Sequence, residues 1–224
     1  MRCSYIQRMR ALEAKHLVAL DRLAQHVELP AKATLFEEGD FARNVYSITS
    51  GVLRLVKLLS NGRRQIVGFA LPGDFLGLSL ATTYAFGADS VQSIQLCKFS
   101  REEMTCFVKE HPEMLERMHT LIAHELLLAQ DQMVILGRLT AEERVAAFLL
   151  NLQLRYKRIG HESVTIPLLM LRVDIADCLG LTIETVSRTI SKFARSRVIL
   201  VVPDGVRVLD MKKLQALASE SSGR

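Results

Sequence analysis

Arg172-Val-Asp-Ile-Ala-Asp-Cys-Leu-Gly-Leu-Thr-Ile-Glu-Thr-Val-Ser-Arg-Thr-Ile-Ser-Lys-Phe193 is the stretch on which the fold turns. Gly180 can take the positive φ that ends one short helix, and Thr182 can cap the next by accepting from an open first-turn N–H. Ile175, Leu179, Leu181, Val186 and Ile190 supply a small apolar core between the two. The arrangement predicts a helix-turn-helix, whose second helix lies in the major groove with its N-terminal residues on the base edges. Glu184 and Arg188 stand four apart and share a face, with Ser187 between them and Lys192 one turn further. Arg suits bidentate contact with guanine, and Glu can accept from the cytosine amino group. The spacing equally allows an intrahelical pair worth about 0.3–0.5 kcal/mol. The two uses are compatible, since a Glu can orient the Arg that reads a base.

Downstream, Val198-Ile-Leu-Val-Val202 and Val206-Arg-Val-Leu209 flank Pro203-Asp-Gly205, which predicts a hairpin and makes the motif a winged one, with Val164-Thr-Ile166 as a further strand. Upstream, Thr140 and Glu143 stand at capping-box positions for a helix over Ala141 to Tyr156, and Gly137 permits a hinge before it. From Pro112 the pattern is helical for about seven turns. Leu115, Ile122, Leu126, Ala129, Met133 and Leu136 form one seam, with its gap at His119, while Met114, Met118, Leu121, Leu128 and Ile135 form a second stripe. One stripe suits the preceding domain and the other a second copy of the chain. The competing reading buries both in the chain itself.

Between Lys32 and Phe99 short Val-, Ile-, Leu- and Phe-rich runs alternate with turn pairs at Gly39-Asp40, Ser50-Gly51, Asn61-Gly62, Gly73-Asp74 and Gly87-Ala88-Asp89. That texture predicts an antiparallel barrel or sandwich, with its clearest hairpin a tight turn at Asn61-Gly62, both positions tolerating positive φ. A short amphipathic helix over Glu13 to Ala24, with Leu17, Leu20 and Leu23 inward, precedes it. The expected class is α+β, with one domain over residues 1–137 and another over 138–224.

The 224-residue chain has 49% hydrophobic and 24% charged residues with a mean hydropathy of +0.18, enough to bury a core and too apolar for disorder. No apolar run, Val198–Val202 included, approaches the roughly 20 residues of a membrane span. The N-terminus shows no apolar secretory core, so the reducing cytoplasm is the expected address and a disulfide framework among Cys3, Cys97, Cys106 and Cys178 is not expected. The formal charge of +5 lies in the C-terminal part: residues 138–224 hold 14 Lys/Arg against 9 Asp/Glu, whereas 1–137 balance. Such asymmetry suits a polyanion. His111, His119 and His124 have no carboxylate or Cys at ligand spacing, and nothing pairs a nucleophile with a base or forms a phosphate loop, so neither metal nor catalysis is expected.

With these parts in this order, the chain resembles the CRP/FNR family of transcription regulators over essentially its full length. Gln65-Ile-Val-Gly-Phe69 with Leu71-Pro-Gly-Asp74, Ala141-Glu-Glu-Arg-Val-Ala-Ala-Phe148 and above all Leu181-Thr-Ile-Glu-Thr-Val-Ser-Arg188 place the likeness on the FNR and FixK side. The resemblance implies an N-terminal antiparallel β-roll of the cyclic-nucleotide-binding, jelly-roll type, a dimerisation helix near 112–137 and a winged helix-turn-helix. It implies a homodimeric regulator, an activator reading TTGA/TCAA palindromes on double-stranded DNA in a low-oxygen or nitrogen-oxide response. Thr182, Ile183, Glu184, Thr185, Ser187, Arg188 and Lys192 would contact DNA, and apolar Ile183 suits a thymine methyl. RNA polymerase would meet barrel surface such as Arg63-Arg64.

The family's barrel can hold a cyclic nucleotide, an iron–sulfur cluster, haem or nothing. A cyclic phosphate needs an Arg, and there is none between Arg64 and Arg101, while the turn that would carry a Glu reads Gly77-Leu78. An iron–sulfur cluster is the alternative, with Cys3 and Cys97 as two of four thiolates and the others upstream of Met1. No cofactor is expected. Asp131 on the dimer helix matches an acid that opposes pairing in this branch. Cys178, inside the reading motif, is a candidate redox group.

Overall fold

A computed structural model describes residues 14–219. The described residues divide into two compact units that meet inside the long helix, the first ending at Leu126 and the second beginning at Leu127.

In the first unit a short helix, α1 (Ala14–Leu23), leads into eight strands: β1 (Gln25–Leu29), β2 (Thr34–Phe36), β3 (Asn44–Ser50), β4 (Leu53–Leu58), β5 (Arg64–Ala70), β6 (Phe75–Leu76), β7 (Gly87–Ser90) and β8 (Ile94–Ser100). They form two four-stranded antiparallel sheets, β1-β8-β3-β6 and β2-β7-β4-β5, the β-roll expected from the turn spacing. Alternation along β8 shows how the first sheet is buried on both faces. Leu96 points into a core with Phe36, Tyr46, Ile48, Leu53 and Tyr84. Cys97 and Phe99 point the other way, onto Leu20 of α1, onto Met104 and Phe107 of α2 (Arg101–Glu110), and onto Met114 and Leu121 of α3 (Pro112–Arg138). Met114 and Leu121 belong to the second stripe of the long helix, so its first part packs on the β domain. Burying a side chain such as Phe99 contributes about 1.5–3 kcal/mol.

Two turn expectations are corrected. Asn61-Gly62 does join β4 to β5, but Leu59 N–H donates to the Arg63 carbonyl at 2.8 Å, leaving a three-residue loop in which only Gly62 takes positive φ, +77°. Asn61 instead accepts through Oδ1 from Arg63 N–H at 3.0 Å, an alternative route to the same reversal. Gly87-Ala88-Asp89, read as a turn, is strand β7, hydrogen-bonded on both sides to β2 and β4. A Cβ on Gly87 would lie 3.5 Å from the Phe36 carbonyl and the Glu38 nitrogen, an ordinary contact, so the position sits in the sheet without strain.

The second unit begins within α3, which continues through Gly137 to Arg138, so the break falls at Leu139-Thr140. Thr140 and Glu143 form the expected capping box on α4 (Ala141–Arg158). Strand β9 (Thr165–Pro167) precedes α5 (Arg172–Leu179) and α6 (Ile183–Arg195), then the hairpin β10 (Ile199–Val202) and β11 (Gly205–Val208). The small sheet runs β10-β11-β9, and α7 (Met211–Ser219), absent from the sequence reading, packs on α4. Gly180, at φ +61° and ψ 40°, ends α5 as predicted, and Thr182 caps α6 by accepting from Thr185 N–H at 3.2 Å.

Candidate nucleic-acid interface

Burial sorts α6 into two sides. Val186, Ile190 and Phe193 are at most 4% exposed and, with buried Ile175 and Leu179 of α5, form the small core, while Leu181 is half-buried. Thr182, Ile183, Glu184, Ser187, Arg188 and Lys192 are exposed, and Thr185 is half-buried. The expected readers therefore stand together at the start of one outward helix face. Ile183 is 43% exposed, an apolar side chain on a polar face where nothing in the fold needs one. The Glu184 carboxyl is held below the usual carboxylate range by its own backbone N–H, then by the Thr182 hydroxyl and by the charge of Arg188, so an anion stands beside the Arg.

Lys192, exposed as expected, also has a partner within the protein. Its Nζ lies 2.5 Å from Oε1 of Glu142 on α4. The helix spacing was right, but a partner 50 residues away in sequence was not visible from α6 alone.

Arg172 was not singled out in the sequence as a functional residue. It is the first residue of α5, where a cation opposes the helix dipole, and its Nη1 is buried without a hydrogen-bond partner. Burial lowers its pKa by penalising the charge. The signal in the sequence was that unfavourable position for an Arg.

On α3, Leu115, Ile122, Leu126, Ala129, Asp131 and Met133 are exposed along the predicted seam, and Leu136 is half-buried. Met133 reaches 71% exposure, so no part of the described chain covers that end of the stripe.

Cys178 is buried, and desolvation with the charge of Asp177 pushes its thiol up to about 12, which lowers the share of thiolate. Cys97 is fully buried on β8, while Cys106 and Cys178 are free thiols, Cys106 exposed. Cys3 lies outside the described residues, as does the N-terminal segment it belongs to. Among the described residues no three His, Cys, Asp or Glu side chains group closely enough for a metal, and no helix is long and apolar enough to cross a membrane.

Residues 143–217 match the Crp-like helix-turn-helix domain and residues 26–111 the cyclic nucleotide-binding domain. The chain is 53% identical over 199 residues to the transcriptional activatory protein AadR of Rhodopseudomonas palustris, covering 89% of this chain and 83% of that protein. It is 44% identical over 209 residues to the nitrogen fixation regulation protein FixK of Bradyrhizobium diazoefficiens, covering 93% and 88%. The solved structure of FixK2 from Bradyrhizobium japonicum superposes with a TM-score of 0.80 at 32% identity, covering 87% of this chain and 96% of that one. A β-roll, a long helix with an uncovered apolar seam and a winged helix-turn-helix, joined by this similarity, make the chain a member of the CRP/FNR family on its FNR and FixK side.

Proposed function

We propose that the chain, a DNA-binding transcription regulator, reads TTGA/TCAA palindromes as a homodimer and activates genes of a low-oxygen, nitrogen-oxide or nitrogen-fixation response in the cytoplasm. The observation that carries this is the grouped exposure of Ile183, Glu184, Ser187 and Arg188 at the start of α6. Ile183 meets a thymine methyl, and Arg188, oriented by Glu184, takes the guanine edge. The uncovered seam on α3 pairs two copies, and their two-fold axis gives the palindrome, with half-sites roughly 10 base pairs apart. The chain acts by binding rather than by catalysis.

The reading needs no effector in the barrel. Supporting it, aromatic rings pack on one another within the roll, with the Phe36 and Tyr84 centroids 3.8 Å apart and Tyr46 beside them. Arg101, the nearest Arg after the Gly77 turn, spends its guanidinium on the Ala81 and Gly77 carbonyls at 2.6 and 2.9 Å. RNA polymerase is the partner for the barrel surface at Arg63, since Arg64 is paired with Asp89. The resemblance of relatives named for nitrogen fixation supports the physiological setting.

The test is an anisotropy titration of a labelled TTGA/TCAA palindrome and a scrambled duplex with reduced protein, no ligand added, at fixed salt. Tight binding to the palindrome alone is the expected result. Equal affinity for both duplexes would overturn the reading.

A further inference from the structure

Three helix ends meet at one guanidinium in the second unit. Arg144, in the first turn of α4, donates from Nε to the Leu139 carbonyl at 2.9 Å and from Nη2 to the Leu136 carbonyl at 2.9 Å, both at the end of α3. Its Nη1 donates to the Leu179 carbonyl at 3.0 Å, at the end of α5. The last carbonyls of a helix lack intrahelical donors and carry the negative end of its dipole, so a cation with several fixed N–H groups satisfies charge and geometry together. Gln132 of α3 adds a fourth tie, its Nε2 donating to the Cys178 carbonyl at 3.1 Å. Gly180 adjoins the joint, where a Cβ would stand at ordinary contact distance, 3.5 Å from Nη1 of Arg144 and 3.9 Å from Cδ2 of Leu136, so glycine is there for its φ of +61°.

The neighbouring residues of the same turn hold the joint in register. Glu143 closes the capping box on Thr140, with Thr140 N–H donating to Oε2 at 2.6 Å, which fixes the start of α4. Glu142 holds Lys192 of α6. One helical turn thus grips the end of the seam-bearing helix, the end of the first motif helix and the side of the reading helix.

We propose that Arg144, with Gln132, is a positioning residue for DNA reading: by bonding the carbonyl ends of α3 and α5 to one another, it sets the distance from the two-fold seam to the reading face and so selects the half-site spacing. The inference rests on the homodimeric, TTGA-reading function above. A helix carrying exposed seam residues Ala129 and Met133 is tied to the motif by four hydrogen bonds of fixed direction, so a wrong spacing strains the joint. Lys in place of Arg144 keeps the charge but lacks the planar fork that reaches three carbonyls.

The experiment uses the full chain as wild type, Arg144→Lys and Gln132→Met. Affinity is measured for TTGA/TCAA palindromes with the optimal spacer and with spacers one and two base pairs longer or shorter, and for scrambled DNA. Sedimentation and thermal unfolding are run in parallel. Wild type should prefer one spacing by about tenfold, and each variant should keep assembly and its preference for TTGA over scrambled DNA while the spacing preference falls to about twofold. Variants that fold, select TTGA and retain the wild-type spacing preference overturn the inference alone. A wild-type chain indifferent between TTGA and scrambled DNA overturns the function and the inference with it. Should Arg144→Lys fail to fold, Gln132→Met decides, and unfolding of both would assign these contacts to stability and overturn the positioning role.

Discussion

Nζ of Lys192 and Oε1 of Glu142 stand 2.5 Å apart, linking the reading helix to the first turn of the helix that follows the hinge. Both side chains are substantially exposed, at 58% and 40%, so the pair contributes only about 0–1 kcal/mol after screening. Lys192→Ala should therefore change affinity for cognate and scrambled DNA by about twofold or less, read by anisotropy. A loss of about tenfold on both would return Lys192 to a phosphate.

Arg188 and Arg172 should separate cleanly. Arg188→Ala should lose about 1–3 kcal/mol on the cognate palindrome and flatten its preference over scrambled DNA. If the Arg172 guanidinium meets a phosphate, Arg172→Ala should weaken both duplexes equally and lower the salt slope by about one. Sequence discrimination retained in Arg188→Ala would contradict the recognition scheme.

Cys178 should be inert where Cys106 is not. Its thiol is pushed up to about 12, chiefly by burial, so the folded state holds the proton more tightly than the unfolded one. The resulting stability is fully present below the ordinary thiol value of about 9 and is lost as pH rises through the folded value. Alkylation at pH 8 followed by mass spectrometry should label exposed Cys106 first. Equal rates at the two sites would show that α5 opens readily.

Gly205 opens strand β11, where a Cβ would come within 2.1 Å of the Ile166 carbonyl oxygen and 3.1 Å of the Leu168 nitrogen. These are backbone atoms of the paired strand and the residue after it, and they cannot rotate away. Gly205→Ala should lower the melting temperature of the winged domain, whereas Gly62→Ala, with open space but positive φ, should cost about 1–2 kcal/mol. An unchanged melting curve for Gly205→Ala would mean that the wing is not packed as described.

Asp131 is exposed between seam residues Ala129 and Met133. Two copies paired along that seam bring two like charges together, so Asp131→Ala should move the monomer–dimer balance toward dimer in sedimentation, most at low salt. No shift would remove charge repulsion as a control on assembly.

The helix-turn-helix was legible because its determinants are local: Gly180 for a positive φ, Thr182 for a cap, and apolar spacing for one side of each helix. The same holds for the capping box at Thr140 and Glu143. The strand at Gly87-Ala88-Asp89 was misread because turn-prone residues become strand when neighbours on both edges take up their hydrogen bonds, and neighbours are a property of the sheet. Lys192, Arg172 and Arg144 share that difficulty. Their roles rest on a Glu 50 residues away, on a buried nitrogen lacking a partner, and on carbonyls at two helix ends, none of which leaves a periodic trace.

The exposed leucines and methionine along the long helix also bear on dosage. Where two copies close over Leu115, Ile122, Leu126 and Met133, the population able to engage a palindrome grows as the square of chain concentration while dissociated chains predominate. Synthesis and proteolysis then act as steep inputs. A modest rise in copy number then covers the exposed seam in a larger share of chains, so assembly along it responds to concentration as a threshold.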